Sequence, residues 1–262
     1  MVAIVKFERE HIFEAVKLMY TQVANKPEKG FHFPVGRTAC QFVGYPAAQL
    51  DQIIATAIES FAGVGYPFQA DVIRTGDTVL DIGAGAGTDV FIAALYTGEQ
   101  GIVYGLDMTV AMHEKLKKNC ETAGITQVRP LIGNAEDIPL DDATVDVVTS
   151  NGVLNLVPDK SKSFAEIYRV LKPGGYIQIS DIVINKHYED LDTSRANPQL
   201  WAECIVGALN EDHYLQVFAD AGFKDLVVLD RVNYFAGSNS APTRSTAEYF
   251  GARTVVLKGR KP

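Results

Sequence analysis

Asp81-Ile82-Gly83-Ala84-Gly85-Ala86-Gly87 is the stretch that decides the fold. It completes the short apolar run Thr78-Val79-Leu80-Asp81-Ile82, the pattern of a buried strand. Behind it, residues 88–96 carry Val90, Phe91, Ala94 and Leu95 at helical spacing. Glycines between a strand and a helix let the backbone turn sharply and approach a ligand closely, and the helix start offers free N–H groups. In open α/β sheets, ligands bind outside the carboxyl ends of the strands, where the strand order reverses. The stretch is therefore both a fold signal and a candidate binding loop.

Outward from it the rhythm repeats. Strands are expected at 102–106, 128–132, 145–149 and 176–181, and helices at 110–122 and 161–171. The second of those helices is stopped by Lys172-Pro173-Gly174-Gly175. Alternating strands and helices imply a mostly parallel sheet with helices on both faces. Past Asp181 an inserted helical segment is expected at 192–209, within about 185–210, then a helix at 212–221 and strands at 226–230 and 254–258. Ahead of the sheet, helical patterns at 9–23 and 47–61 flank a loop-like stretch at 25–44. Residues 1–76 thus read as an N-terminal helical cap, and 77–262 as one binding domain.

Bulk properties fit this. Of 262 residues, 47% are hydrophobic, enough for a full core, and 22 glycines and 11 prolines suit many short connections. Against 24 Lys plus Arg stand 32 Asp plus Glu, a net charge of -8 that repels a phosphate backbone, so nucleic acid is not an expected partner. The clusters Lys115-Leu116-Lys117-Lys118 and Lys258-Gly259-Arg260-Lys261 read as solvated faces. Cys40, Cys120 and Cys204 form no CxxC pair and fit a reducing cytoplasm. With no signal-peptide pattern and no run of about 18 apolar residues, a cytoplasmic protein without a membrane partner is expected. A monomer or homodimer acting on a small molecule is the expected assembly. The five histidines show no ligand spacing, so no metal site is expected.

Two readings of the glycine loop compete. The dinucleotide fingerprint GxGxxG requires a third glycine where Thr88 stands, which disfavours a nicotinamide-dependent oxidoreductase. The glycines fall instead at 83, 85 and 87, behind an acid at 81, and this spacing resembles motif I of class I S-adenosylmethionine-dependent methyltransferases. The resemblance implies a Rossmann-like fold with a seven-stranded sheet. It also implies S-adenosylmethionine as cofactor and S-adenosylhomocysteine as product. Gly83, Ala84, Gly85 and Gly87 would cradle the cofactor, and Asp81 would attract its ammonium, directly or through water. The second strand ends in Asp107, 24 positions beyond Gly83 and placed to accept both ribose hydroxyls, with Met108 beside it. A strand-end aspartate that caps the next helix is the alternative. Gly133-Asn134-Ala135-Glu136-Asp137-Ile138-Pro139 resembles the family's adenine-contacting segment, with Asn134 or Glu136 as the polar contact. Asn151 stands at the mouth of the same cleft.

Further segments resemble arsenite methyltransferases. They are Ser150-Asn151-Gly152-Val153-Leu154-Asn155-Leu156-Val157-Pro158-Asp159-Lys160, Leu200-Trp201-Ala202-Glu203-Cys204-Ile205-Val206-Gly207-Ala208 and Gly105-Leu106-Asp107-Met108-Thr109. That family holds trivalent arsenic with thiolates, soft ligands for a soft acid. Cys204 matches one thiol position and Cys40 corresponds to an N-terminal one, but Gly152 and Val64 stand where the family has cysteines. A buried apolar role is the alternative for both cysteines. If the acceptor needs a general base, His32, Glu203 and, less well placed, His187 are the candidates. Tyr20, Phe31, Phe33, Tyr66 and Trp201 are candidates to line the acceptor pocket, with core packing as the alternative. Three functions stay open: methyl transfer to a small molecule, arsenite methylation included; hydride transfer; and cofactor binding without catalysis.

Overall fold

The computed structural model describes residues 6–186, 201 and 204–262. Its centre is one sheet in the order β3-β2-β1-β4-β5-β8-β7. The strands are β1 (Thr78–Ile82), β2 (Ile102–Asp107), β3 (Val128–Ile132), β4 (Val145–Asn151), β5 (Leu171–Ile184), β7 (Lys224–Val232) and β8 (Arg253–Arg260), and β6 (Leu209–Asn210) pairs with the end of β5. β1 to β5 run parallel, and β8 is antiparallel to both β5 and β7. The chain leaves β1 toward β2 and returns on the other side at β4, so the order reverses between β1 and β4.

Side chains alternate across the strands. Val79, Val103 and Val147 face one core with Val90 and Phe91 of α5 (Thr88–Thr97) and Leu116 of α6 (Val110–Ala123). Leu80, Val148, Ile177 and Ile179 face the other, with Phe164 of α7 (Lys160–Val170) and Phe218 of α8 (Glu211–Asp220). Each fully buried aliphatic or aromatic side chain of this kind contributes roughly 1.5–3 kcal/mol. Both faces being covered explains why the central strands are continuous apolar runs.

The N-terminal residues build onto the first face. α1 (Lys6–Asn25) places Ile12, Val16 and Val23 in the same core as Val90 and Leu116. Three expectations are corrected here. The stretch 47–61 is not one helix but two single turns, α3 (Ala47–Leu50) and α4 (Ala55–Ile58), with Ile54 extended between them. The β-branched pair Ile53-Ile54 loses side-chain freedom in a helix, while Leu50, Ala57 and Ile58 still reach the core. The stretch 25–44 contains α2 (Arg37–Phe42). The last residues of the expected insert, 204–209, are not helical, and Leu209 pairs with Val183 instead. The remainder of that insert lies outside the described residues, apart from Trp201.

Further differences lie toward the C-terminus. The sheet has eight strands because β6 joins the expected seven. β5 runs from Leu171, with Gly174 at φ 83° taking the kink. Helix α9 (Ala241–Phe250) has no counterpart in the sequence expectations, although Ser240 accepts from the Thr243 N–H at its start and Gly251 ends it.

Candidate functional site

A cleft opens at the carboxyl ends of β1, β2 and β4, enclosing about 940 Å³, part of it open to solvent. Its floor is the glycine loop. Gly83 and Ala84 donate backbone N–H bonds to Leu106 O, at 2.8 and 3.0 Å, which folds the loop over β2. Gly83 has φ 77°, and a Cβ there would overlap Val153, so the loop passes too close to the 152–157 turn for any side chain. Gly87, at φ 108°, packs against Leu116 and Phe91 in the same way.

Asp107 lines the cleft at the end of β2. One carboxylate oxygen accepts from the Gly85 N–H at 2.9 Å and the other from the Thr109 N–H at 2.8 Å. Burial raises its affinity for a proton, and those two backbone donors work against the shift. Asp107 thus ties the start of α6 to the glycine loop, and it also lines the cleft. Asp81 is 2% exposed, and burial, with the carboxyls of Asp89 and Asp107 adding to it, holds its carboxyl well above the usual range. No protein cation offsets it among the described residues acting on it. A buried carboxyl open to the cleft suits an ammonium. The narrow glycine floor and the strand-end aspartate suit a ribose beside it. The residues present thus fit S-adenosylmethionine.

Of the other expected cofactor contacts, Met108, Asn134 and Ala135 line the cleft. Asn134 also accepts from the Glu136 N–H at 2.8 Å. Glu136 is not among the lining residues. It is buried, accepts from the Asp159 N–H at 2.9 Å and abuts the Arg9 guanidinium, so it braces α1 against the turn after β3. Asn151 lines the cleft, but its amide is engaged with protein. Its oxygen accepts from the Val64 and Gly65 N–H groups, and its nitrogen faces Gly65 O, the Tyr45 hydroxyl and Asp89.

The acceptor candidates divide. Tyr20 lines the cleft, and burial pushes its hydroxyl well above the ordinary range, with the neighbouring Cys204 adding to the shift. Cys204 itself is buried behind Tyr20, at φ 71°, its carbonyl held by Asn155 at 2.9 Å. Cys40 is buried in α2, where burial and Asp89 raise its thiol. Its surroundings are Asp89 and Arg37, whereas those of Cys204 are Tyr20 and Tyr234. His32 does not line the cleft. Its ring packs edge-on to Phe33 at 4.6 Å, and burial lowers its proton affinity. Tyr66 bonds to Gln49 at 3.0 Å and packs on Tyr45. Trp201 is buried, donating to Leu156 O at 2.9 Å. All three are held in packing away from the lining. Glu203 and His187 lie outside the described residues.

Residues 73–222 match the family model described as "Methyltransferase domain". The chain belongs to the S-adenosylmethionine-dependent methyltransferases. It is similar to an arsenite methyltransferase of Halobacterium salinarum, 34% identical over 84% of this chain, of which it spans 55%. The solved arsenic(III) S-adenosylmethionine methyltransferase of Chlamydomonas reinhardtii superposes with a TM-score of 0.64 at 28% identity, covering 87% of this chain and 74% of that one. The geranyl diphosphate C-methyltransferase of Streptomyces coelicolor, at 19% identity and a TM-score of 0.63, covers 94% and 98% and shares the fold. The chain spans little more than half the length of the first curated relatives it matches.

Several residues in the cleft or packed behind its lining have no counterpart among the sequence candidates. Asp89 lines it, and only its place in the first turn of α5 marked it. Tyr45 had no local signal, because its partner Asp89 lies 44 residues away. Gly63, Phe61, Phe13 and Val16 come from the N-terminal region and reach the cleft only through folding.

Proposed function

We propose that the protein transfers the methyl group of S-adenosylmethionine to a neutral, apolar organic acceptor bound between the N-terminal cap and the 152–157 turn. One observation carries this reading: the acceptor end lacks both the thiols and the cations that other acceptors require. A Cβ built on Gly152 would lie 3.0 Å from Val64, so the two positions where arsenite methyltransferases have cysteines meet in space. In this chain they bear a glycine and a valine, and an apolar contact stands in place of a thiolate pair. The cleft that Gly152 lines is also lined by Phe13, Val16, Tyr20, Phe61, Val153 and Leu156. Among the described lining residues there is no histidine, lysine or arginine, so an anionic acceptor finds no counter-charge.

When bound, S-adenosylmethionine supplies an electrophilic methyl group on a sulfonium. The residues' part is positioning and exclusion of water. Asp81 and Asp107 would hold the cofactor's amino-acid and ribose ends, and the apolar wall would place the nucleophile in line. The curated relatives' arsenite activity supplies the competing reading, with Cys204 as the one matched thiol beside the cleft.

The experiment incubates the purified protein with methyl-labelled S-adenosylmethionine and either arsenite plus a reducing thiol or a panel of neutral phenols and quinols. Label in an organic product with none in methylated arsenic is expected. Arsenic methylation that Cys204→Ser abolishes would overturn the reading.

A further inference from the structure

Phe61, Ala62 and Gly63 line the cleft, and the chain runs on from them through Val64 and Gly65 behind that lining, with no helix or strand over residues 61–66. What holds it is the Asn151 side chain. The amide oxygen accepts from the Val64 N–H at 2.7 Å and the Gly65 N–H at 3.2 Å, and the amide nitrogen donates to Gly65 O at 2.9 Å. Asn151 thus pairs with the segment as a neighbouring strand would. A Cβ on Gly63 would come within 2.5 Å of the same amide nitrogen, so the wall is seated directly on it.

The orientation of that amide depends on two further groups. The Tyr45 hydroxyl donates to one oxygen of Asp89 at 2.5 Å, which leaves its lone pair to accept from the Asn151 amide nitrogen at 2.9 Å. The other Asp89 oxygen lies 3.1 Å from the same nitrogen, whose two protons are shared among these three acceptors. A flipped amide would turn its oxygen toward a carboxylate and a carbonyl, and its nitrogen toward two N–H donors. We propose that Asp89 and Tyr45 are positioning residues, acting through Asn151 to anchor Val64 and Gly65 and thereby fix the adjoining Phe61-Ala62-Gly63 wall, against which the acceptor packs. Taking this wall as the acceptor side rests on the function proposed above.

The network needs Asp89 ionised, because a protonated carboxyl would compete as a donor with the Tyr45 hydroxyl and the Asn151 amide. Burial raises the Asp89 carboxyl to about 6, while Tyr45 and Asn151 pull it down. The titratable groups around it are Tyr45, Tyr66, Asp81 and Cys40. None of them is a cation.

The test measures amide hydrogen-exchange protection factors by NMR in the full chain saturated with S-adenosylhomocysteine, with binding of the neutral dye Nile red as an apolar probe. In Tyr45→Phe and Asp89→Asn, protection of the Val64 and Gly65 amides is expected to fall at least tenfold. Protection of Leu80 in β1 should stay within threefold. Nile red affinity should fall at least fivefold, while Tyr45→Phe holds S-adenosylhomocysteine affinity within threefold. In the unsubstituted protein, Val64 and Gly65 protection should drop as pH falls through about 6, and in Asp89→Asn that dependence should vanish. Unchanged protection at Val64 and Gly65, or an equal loss at Leu80, would overturn the positioning role. Loosened amides with unchanged Nile red affinity would retain the clasp and remove the acceptor from this wall, a failure of the functional reading alone.

Discussion

Asp181 is fully buried, and burial raises its carboxyl to about 7 even though the Tyr214 hydroxyl, at 2.7 Å, and the nearby Lys160 favour the ionised form. Its folded-state affinity for a proton exceeds that of the unfolded chain, so its contribution to stability is full below pH about 4 and is lost as pH rises to about 7. Asp181→Asn should therefore gain on the parent protein, in melting temperature by calorimetry, as pH increases across that window; a constant difference would sink the assignment. Gly83 makes a different point. At φ 77° and against Val153 it has no room for a methyl group, so Gly83→Ala should weaken S-adenosylhomocysteine binding at least tenfold by titration calorimetry. Retained affinity would move the cofactor off the glycine loop. Asp107→Ala should weaken the same binding for a separate reason, since it frees the Gly85 and Thr109 N–H groups as well as removing the carboxylate.

Among the elements, α7 shows how the sheet is covered. Asp159 caps it, accepting from the Lys162 N–H at 2.9 Å, and Phe164 stacks on Phe218 of α8 with ring centres 4.1 Å apart. Truncating so enclosed a ring leaves a cavity, so Phe164→Ala should cost about 3–5 kcal/mol in urea denaturation. A loss below 1 kcal/mol would mean that the core collapses around the gap. Helix α7 was legible because its apolar residues and its glycine stop are local. Helix α9 carried equally local signals in Ser240, Pro242 and Gly251, and its absence from the expectations reflects weak apolar periodicity: Thr243, Ala247 and Phe250 are its buried residues. The 47–61 stretch failed for the opposite reason. Its periodicity was present, but the β-branched pair and the demands of packing broke it into two turns.

For the molecule as a whole, the cleft is assembled from segments that the chain separates widely. Val64 precedes the sheet, Gly152 follows β4, and Cys204 lies beyond β5, yet 64 and 152 are in contact and Asn155 holds the Cys204 carbonyl. This arrangement supplies a gain-of-function test. The double variant Val64→Cys with Gly152→Cys should acquire tight arsenite binding, read by loss of titratable thiols and by protection against a thiol reagent. If it binds arsenite no better than the parent, positions 64 and 152 do not form a metalloid site with Cys204. The strain of a side chain at Gly152, φ 73°, makes the single variant Val64→Cys a useful control for folding.

The sequence by itself determined the parallel sheet, the glycine loop and the strand-end positions of Asp81 and Asp107, and its resemblance to the methyltransferase family implied the cofactor. Those signals are local: strand, turn and helix follow one another within a few residues, and the acids stand at strand ends that periodicity locates. Only the tertiary structure decided which of the other candidates line the cleft. It placed Glu136 beneath α1, His32, Tyr66 and Trp201 in packing outside the lining, and Asp89 with Tyr45 and Asn151 at the wall. Those outcomes depend on contacts between residues tens of positions apart, whose free energy comes from burial and hydrogen bonding and leaves no mark on local pattern.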